Sequence, residues 1–193
     1  MGMNMKTHNL IDCNKMILIG ATGRNSGKTT LATNIIKAYS DKVPIIAFKF
    51  IVINDNKDIC PRGGEGCGIC NSLKSTFDIT EELNEGNKDT MLLKRAGAIK
   101  VYLIRSLKEH LIEALKKALT YVPSNALILC ESNSLRHVVK PAYFIMIKSD
   151  ESSEIKPSAK SVIEYADIIL EKNYKEFSDF VHKLPQIIPE LNG

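Results

Sequence analysis

The chain has 193 residues, a length typical of one domain. Hydrophobic residues make up 44% and charged residues 25%, which excludes a disordered chain, a collagen and a small disulfide-stapled scaffold. The formal net charge is only +4 and the basic residues are scattered, so the sequence gives no argument for a nucleic-acid partner.

Neither a membrane segment nor a secretory leader is predicted. The apolar runs are far shorter than the ~20 residues that a spanning helix needs, and the first ten residues, MGMNMKTHNL, lack the apolar stretch of a signal peptide. We therefore expect a cytoplasmic protein with no membrane partner. In that compartment cysteines are free thiols or metal ligands rather than disulfides.

Apolar and amphipathic segments alternate along the chain. Strands are predicted at 15–19, 43–52, 100–104, 126–130, 143–147 and 167–170, and helices at 28–39, 88–96, 107–119, 158–165 and 177–184. The strands are apolar throughout, which is typical of a parallel sheet covered on both faces. We expect one α/β domain over residues 15–193, after an N-terminal tail at 1–14, with a long Cys-rich loop at 54–74.

The first predicted strand leads into a glycine-rich loop that opens a helix. Gly27, Lys28 and Thr29 match the second half of a Walker A phosphate-binding loop, whereas Thr22 stands where that pattern has its first glycine. In such a loop a lysine reaches the β/γ-phosphates and a hydroxyl holds Mg²⁺, which assigns Lys28 and Thr29; Thr30 is expected at the α-phosphate. The alternative is a plain helix start with an incidental lysine. The predicted nucleotide-binding residues are Gly23, Arg24, Asn25, Ser26, Gly27, Lys28, Thr29 and Thr30.

Acidic residues complete the predicted catalytic set of Lys28, Glu131 and Asp89. Glu131 follows a strand and is expected to hold Mg²⁺, unless it is a solvated loop carboxylate. Asp89 is expected to orient water or Mg²⁺, unless it only favours the dipole of a helix N-terminus. Arg24 contacts the γ-phosphate or the nucleotide of a second subunit, or is a surface arginine.

Several stretches resemble one known family. NSGKTTLATNII, residues 25–36, resembles the phosphate-binding loop of the molybdopterin-guanine dinucleotide biosynthesis adaptor protein B family. Lys49, the stretch NKDTMLLKRAGA at 87–98 and Glu131 match further family features, so the resemblance covers roughly residues 15–135. It implies a SIMIBI-class P-loop NTPase fold, a three-layer sandwich with a mostly parallel central sheet. It also implies GTP as the nucleotide, and we expect a homodimer and a partner protein in cofactor biosynthesis.

The choice of base stays open between ATP and GTP. Related GTPases read guanine with an Asn-Lys-x-Asp motif after a late strand. The aligned positions here are Glu171, Lys172, Asn173 and Tyr174, so the guanine-reading Asn and Asp are absent.

Three cysteines lie close together in the 54–74 loop. Cys60, Cys67 and Cys70 are separated by six and two residues, and glycines between them allow the backbone to approach a metal. They predict a Zn²⁺ or iron–sulfur site, the alternative being inert or redox thiols. Cys130 is a candidate fourth ligand or a core cysteine.

Three functions fit the sequence. The first is an ATP- or GTP-binding accessory factor for molybdopterin or another metal cofactor, with slow Mg²⁺-dependent hydrolysis. The second is a small-molecule synthetase or kinase of the dethiobiotin-synthetase type, with Lys49 and the 132–136 loop as the hints of a substrate pocket. The third is a metal-cluster carrier or redox sensor with a vestigial nucleotide site.

Overall fold

A computed structural model describes residues 10–53, 73, 75–149 and 154–192. Within these residues, seven strands form one sheet in the order β3-β4-β2-β5-β1-β6-β7, and all neighbours are parallel except β3 and β4. The strands are β1 Ile11–Ala21, β2 Ile45–Ile53, β3 Phe77–Glu81, β4 Lys100–Leu107, β5 Leu127–Glu131, β6 Val139–Lys148 and β7 Ile168–Glu171. The predicted α/β fold with a mostly parallel sheet is confirmed.

Helices connect the strands and cover the sheet. They are α1 Lys28–Tyr39, α2 Asp89–Arg95, α3 Leu111–Leu119, α4 Pro157–Lys160 and α5 Tyr174–Ile187. Short 3₁₀ turns lie at Lys108–His110, Ser134–His137, Ile163–Tyr165 and Pro189–Asn192. Within the described ranges, no helix combines the length and the apolar character needed to cross a membrane.

The sheet separates two apolar clusters. Strand residues alternate between them: Ile17 and Ile19 of β1 face the cluster that α1, α2 and α5 complete, whereas Met16 and Leu18 face the cluster with α3 and α4. This alternation follows from the two-residue period of a strand. Burial on both faces explains the uninterrupted apolar sequence of the central strands and is compatible with a three-layer sandwich.

The element bounds differ from the prediction at several places, and β6 also begins four residues earlier than predicted, at Val139. β1 begins at Ile11 rather than at residue 15, and its added part pairs with Val139–Pro141 before a register shift between Cys13 and Ile17. β3 was not predicted; it forms an antiparallel edge next to β4. The predicted helix 158–165 is a single α-turn, α4, followed by a 3₁₀ turn.

Candidate functional site

The candidate site lies at the carboxyl edge of the central strands. Glu131, the last residue of β5, is in register with Ile19 of β1 on one side and with Lys49 of β2 on the other. The loop from Thr22 to Gly27 leaves β1 at the same edge and enters α1. In open α/β sheets ligands gather at this edge.

The second half of the loop has the backbone of a tight turn into a helix. Gly27 has a φ of 87°, and a Cβ there would lie 3.1 Å from the Phe177 ring and 3.7 Å from Lys172 Cγ. Glycine therefore meets both the conformational and the steric requirement. Asn25 also has a positive φ, 49°, which asparagine tolerates.

The start of α1 has the properties of an anion-binding helix end. The residue at its N-cap, Gly27, has no side chain to cap the helix, and the first turn has no acidic residue. Uncapped amides at a helix N-terminus carry partial positive charge and bind phosphate well. The buried Ser26 Oγ has no hydrogen-bond partner in the described part of the chain, so a ligand is free to supply one.

Thr22 anchors the first half of the loop to the end of β6. Its amide donates to Ile147 O at 2.9 Å, its hydroxyl accepts from the Ser149 amide at 2.9 Å, and its carbonyl accepts from the Lys156 amide at 3.0 Å. A glycine at this position would lack the hydroxyl contact. The departure from the Walker A pattern thus has a local structural reason.

Asn133 holds the same loop from the opposite side. Its Oδ1 accepts from the Ala21 amide at 2.8 Å and its Nδ2 donates to Ala21 O at 2.9 Å, as a neighbouring strand would. A Cβ on Gly20 would come within 2.8 Å of Asn133 Oδ1, so glycine is required next to this contact. No sequence pattern indicates this role, because an isolated asparagine in a loop has many uses.

Three predicted residues meet around one carboxylate. Thr29 Oγ1 donates to Glu131 Oε2 at 3.3 Å, and Lys49 Nζ donates to the same oxygen at 2.6 Å and also contacts Asp89 Oδ2. The Glu131 side chain is 1% exposed, that of Lys49 15% and that of Asp89 52%. Glu131 Oε1 is buried without a hydrogen-bond partner among the described residues.

The charges of this cluster shift several pKa values. Burial alone would lower the pKa of Lys49, but the charge of Glu131 and the hydrogen bonds to both carboxylates outweigh it and raise that pKa. Burial alone would raise the pKa of Asp89, but the hydrogen bond and charge of Lys49 outweigh it and lower that pKa. Lys49 and Asp89 are therefore a charged pair at neutral pH.

Lys28 lies in the same cluster but lacks such compensation. Burial lowers its pKa from the usual 10.5 to about 8. The charge of Glu131 opposes this shift, whereas the positive charges of Lys49 and Lys156 add to it. For a lysine that is desolvated beside other cations, a bound anion stabilises the charged form.

Lys49 has a larger part in the site than the sequence predicted. It was recognised only as a residue of the family resemblance and a hint of a substrate pocket. The available signal was its setting in IIAFKFIVI, because a charge inside a strand that is apolar on both sides must find a buried partner.

The remaining predicted residues are placed as follows. Gly23 is buried within the loop, and Arg24, Asn25 and Thr30 are exposed. Ser149 Oγ donates to the Arg24 carbonyl at 3.3 Å. The exposure of these side chains leaves their predicted contacts with a nucleotide as predictions.

Of the four cysteines predicted as metal ligands, the structure describes Cys130. Cys60, Cys67 and Cys70 lie outside the described residues. Cys130 is fully buried in the apolar cluster on the α3 side of the sheet, and this burial raises the pKa of its thiol well above the usual value. These surroundings favour the core alternative. In the described ranges no group of three or more His, Cys, Asp or Glu side chains is placed to hold a metal.

The end of β7 lies beside the glycine that precedes α1. The Lys172 stem approaches Gly27, and Asn173 Oδ1 accepts from the Lys175 and Glu176 amides at 2.9 and 3.2 Å, which caps α5. Glu171 Oε1 accepts from Lys148 Nζ at 3.1 Å. The Asn173 side chain thus caps α5, and this contact accounts for the asparagine without a role in reading a nucleotide base.

Comparison of the chain with protein-family models, curated proteins and solved structures finds no match.

The pKa of Lys28 predicts a pH-dependent effect on stability. Between about pH 8 and 10.5 the unfolded chain keeps the Lys28 proton that the folded protein has lost, so the desolvation penalty of charged Lys28 fades as pH rises. We expect Lys28→Met to be more stable than wild type by about 1–2 kcal/mol at neutral pH, with a smaller difference near pH 10. Urea unfolding measures both values.

Lys37→Met provides the control, because Lys37 is exposed on the same helix. It should change stability little at either pH. An equal advantage of Lys28→Met at neutral and alkaline pH would contradict a lowered pKa.

Proposed function

We propose that this protein binds ATP or GTP with Mg²⁺ and hydrolyses it slowly, as an accessory factor in the biosynthesis of molybdopterin or another metal cofactor. The observation that carries the proposal is the convergence of α1 and β5 on one point. The start of α1 offers amides and Lys28 to phosphate, while Thr29 and the buried Glu131 offer oxygens to a cation.

The residues present fit magnesium. Thr29 Oγ1 and the Glu131 carboxylate are hard oxygen ligands of the kind Mg²⁺ prefers, with Asp89 next to them. The orphaned Glu131 Oε1 leaves capacity for one more donor or a metal-bound water. When bound by these residues, Mg²⁺ would neutralise negative charge on the phosphates, which is its usual contribution to phosphoryl transfer.

The chain's own groups account for positioning and for slow turnover. Lys28 and the α1 amides bind the phosphates and hold them in the orientation that the loop imposes. Asp89 is half exposed and already paired with Lys49, so it is a weak proton acceptor for an attacking water. Slow hydrolysis is the expected result.

The metal-cofactor role rests on sequence. The stretches at 25–36 and 87–98 resemble the adaptor protein B family, and the cysteines at 60, 67 and 70 offer thiolates for a metal. A homodimer and a partner protein of the same pathway belong to this proposal.

The synthetase or kinase alternative gains no support from the described contacts. Its hints were Lys49 and the 132–136 loop. Lys49 is engaged by Glu131 and Asp89, Ser132 Oγ accepts from the Leu135 amide at 3.2 Å, and Asn133 holds Ala21. These side chains serve the phosphate loop and its neighbours rather than an open substrate pocket.

Removal of Lys28 tests nucleotide binding directly. Lys28→Ala should weaken binding of ATP and GTP by about 100-fold, since it deletes the cation that faces the β/γ-phosphates. Isothermal titration with each nucleotide measures the affinity, and circular dichroism checks the fold. Lys37→Ala on the exposed side of α1 is the matched control and should bind like wild type. Undiminished affinity in folded Lys28→Ala would refute the phosphate-loop assignment.

The magnesium residues should affect turnover more than binding. Thr29→Ala and Glu131→Gln should lower Mg²⁺-dependent phosphate release about 10- to 100-fold while nucleotide affinity changes less. Thr33→Ala, one turn along α1, is the control because Thr33 Oγ1 donates only to the Thr30 carbonyl at 2.9 Å among the described contacts. Wild-type hydrolysis by Glu131→Gln would make Glu131 a structural carboxylate.

The cysteine segment predicts a bound metal. Protein purified without oxygen or chelators should contain about one Zn²⁺ or one cluster per chain or per dimer. Changing Cys67 and Cys70 together to Ser should remove it and leave nucleotide binding intact. Cys130→Ala separates the two roles of that residue: metal retained in this variant identifies a core cysteine. Metal-free wild type with freely alkylated thiols at 60, 67 and 70 would exclude the site.

A further inference from the structure

One oxygen of the site is occupied by two donors. Glu131 Oε2 accepts from Lys49 Nζ at 2.6 Å and from Thr29 Oγ1 at 3.3 Å, and Lys49 Nζ also contacts Asp89 Oδ2. The Lys49 ammonium thus lies among the same oxygens, those of Thr29, Glu131 and Asp89, that would hold Mg²⁺. A hard cation and an ammonium cannot share that position.

We infer that Lys49 is an internal cation that holds the magnesium position in the nucleotide-free protein and excludes Mg²⁺ until a triphosphate arrives. This inference rests on the proposed function and adds a regulatory role for Lys49 within it. The backbone fixes the arrangement, because Lys49 and Glu131 are in register on adjacent strands β2 and β5. The lysine is thus directed to Glu131 by the sheet rather than by a mobile loop.

Charge balance explains why metal and nucleotide should bind together. Without ligand, the two cations Lys28 and Lys49 face the two carboxylates Glu131 and Asp89, so the cluster is nearly neutral. Mg²⁺ alone would add two positive charges in a largely buried place, which is unfavourable. A triphosphate brings the compensating negative charge. Lys49 then leaves Glu131 and keeps Asp89, whose side chain is half exposed.

A purely structural ion pair is the competing explanation. Lys49 would then merely neutralise a buried carboxylate, and Mg²⁺ would have no access to Glu131 whether or not the lysine is present. The two explanations predict different Mg²⁺ binding when the Lys49 ammonium is removed and the apolar part of the side chain is kept. Lys49→Met makes that change.

Magnesium titration without nucleotide distinguishes them. Thermal unfolding is followed with increasing MgCl₂ and with NaCl of matched ionic strength. Wild type should respond to both salts alike. Lys49→Met leaves Glu131 buried and unpaired, so Mg²⁺ should stabilise it in a saturable manner, with an apparent affinity about tenfold or more above that of wild type.

Two further variants control this result. Lys49→Met combined with Glu131→Gln should lose the Mg²⁺ response, because the carboxylate that recruits the metal is gone. Lys100 lies on β4, the strand next to β2, and forms an exposed ion pair with Glu81 of β3. Lys100→Met should behave like wild type. If Lys49→Met is unfolded without metal, its folded fraction is titrated instead, and recovery in MgCl₂ but not in NaCl supports the inference.

Three results would overturn the inference. The first is an equal Mg²⁺ response in wild type and Lys49→Met, and the second is the absence of a response or of refolding in Lys49→Met. The third is a Mg²⁺ response of Lys49→Met that survives the addition of Glu131→Gln. A second measurement uses a non-hydrolysable triphosphate. The triphosphate should increase the affinity for Mg²⁺ in both proteins, and this increase should be about tenfold smaller in Lys49→Met than in wild type. If wild type binds no triphosphate, the proposed function fails by itself, whereas the nucleotide-free titration still decides whether Lys49 excludes the metal.

Discussion

The arrangement of the site depends on one buried carboxylate, that of Glu131. An ionised carboxylate removed from water is several kcal/mol unfavourable unless charge and hydrogen bonds offset the loss. Here the offset comes from different elements, with Lys49 on β2 and Thr29 on α1. The strand order places β5 between β2, which carries Lys49, and β1, which leads into α1, so both donors reach the same oxygen. The charge requirement and the sheet topology therefore support each other.

The geometry of the loop at 22–27 depends on contacts that lie outside the loop. Thr22 is bonded to the end of β6 and to the Lys156 amide, and Ala21 is bonded on both sides of its peptide to Asn133. Because Asn133 lies two residues after Glu131, one short segment both carries the buried carboxylate and orients the loop. A loop held from two sides binds a ligand with less loss of conformational entropy than a free one.

The features predicted best from the sequence are the strands and the helix whose apolar residues follow a long regular pattern. The central strands and α1 have uninterrupted or regularly spaced apolar residues, and both were found where predicted. The start of β1 was missed because Asp12 and Asn14 are exposed beside buried Cys13, so this part looks like a polar tail. β3 was missed because its apolar face, Phe77 and Ile79 alternating with polar residues, spans only five residues of a partly buried edge strand.

At the site, the sequence identified residue types but not their pairings. Lys28, Thr29, Asp89 and Glu131 were selected by motif and by position after a strand, and the structure brings them close together. The Lys49 contact with Glu131 depends on the register of β2 against β5, which no local pattern contains. Asn133 likewise acts on a residue more than a hundred positions away in the chain.

Strand parity separates the two chemistries proposed for this protein. Cys130 and Glu131 are adjacent in β5, so their side chains point to opposite faces of the sheet. Glu131 faces Thr29 of α1, whereas Cys130 is buried with Leu18 and Phe48 on the α3 side. A metal bound by Cys130 together with Cys60, Cys67 and Cys70 would have to lie in that apolar layer, where thiolate charge is unfavourable. The metal proposal therefore stands on the three clustered cysteines, and its remaining coordination positions have to be filled from outside β5.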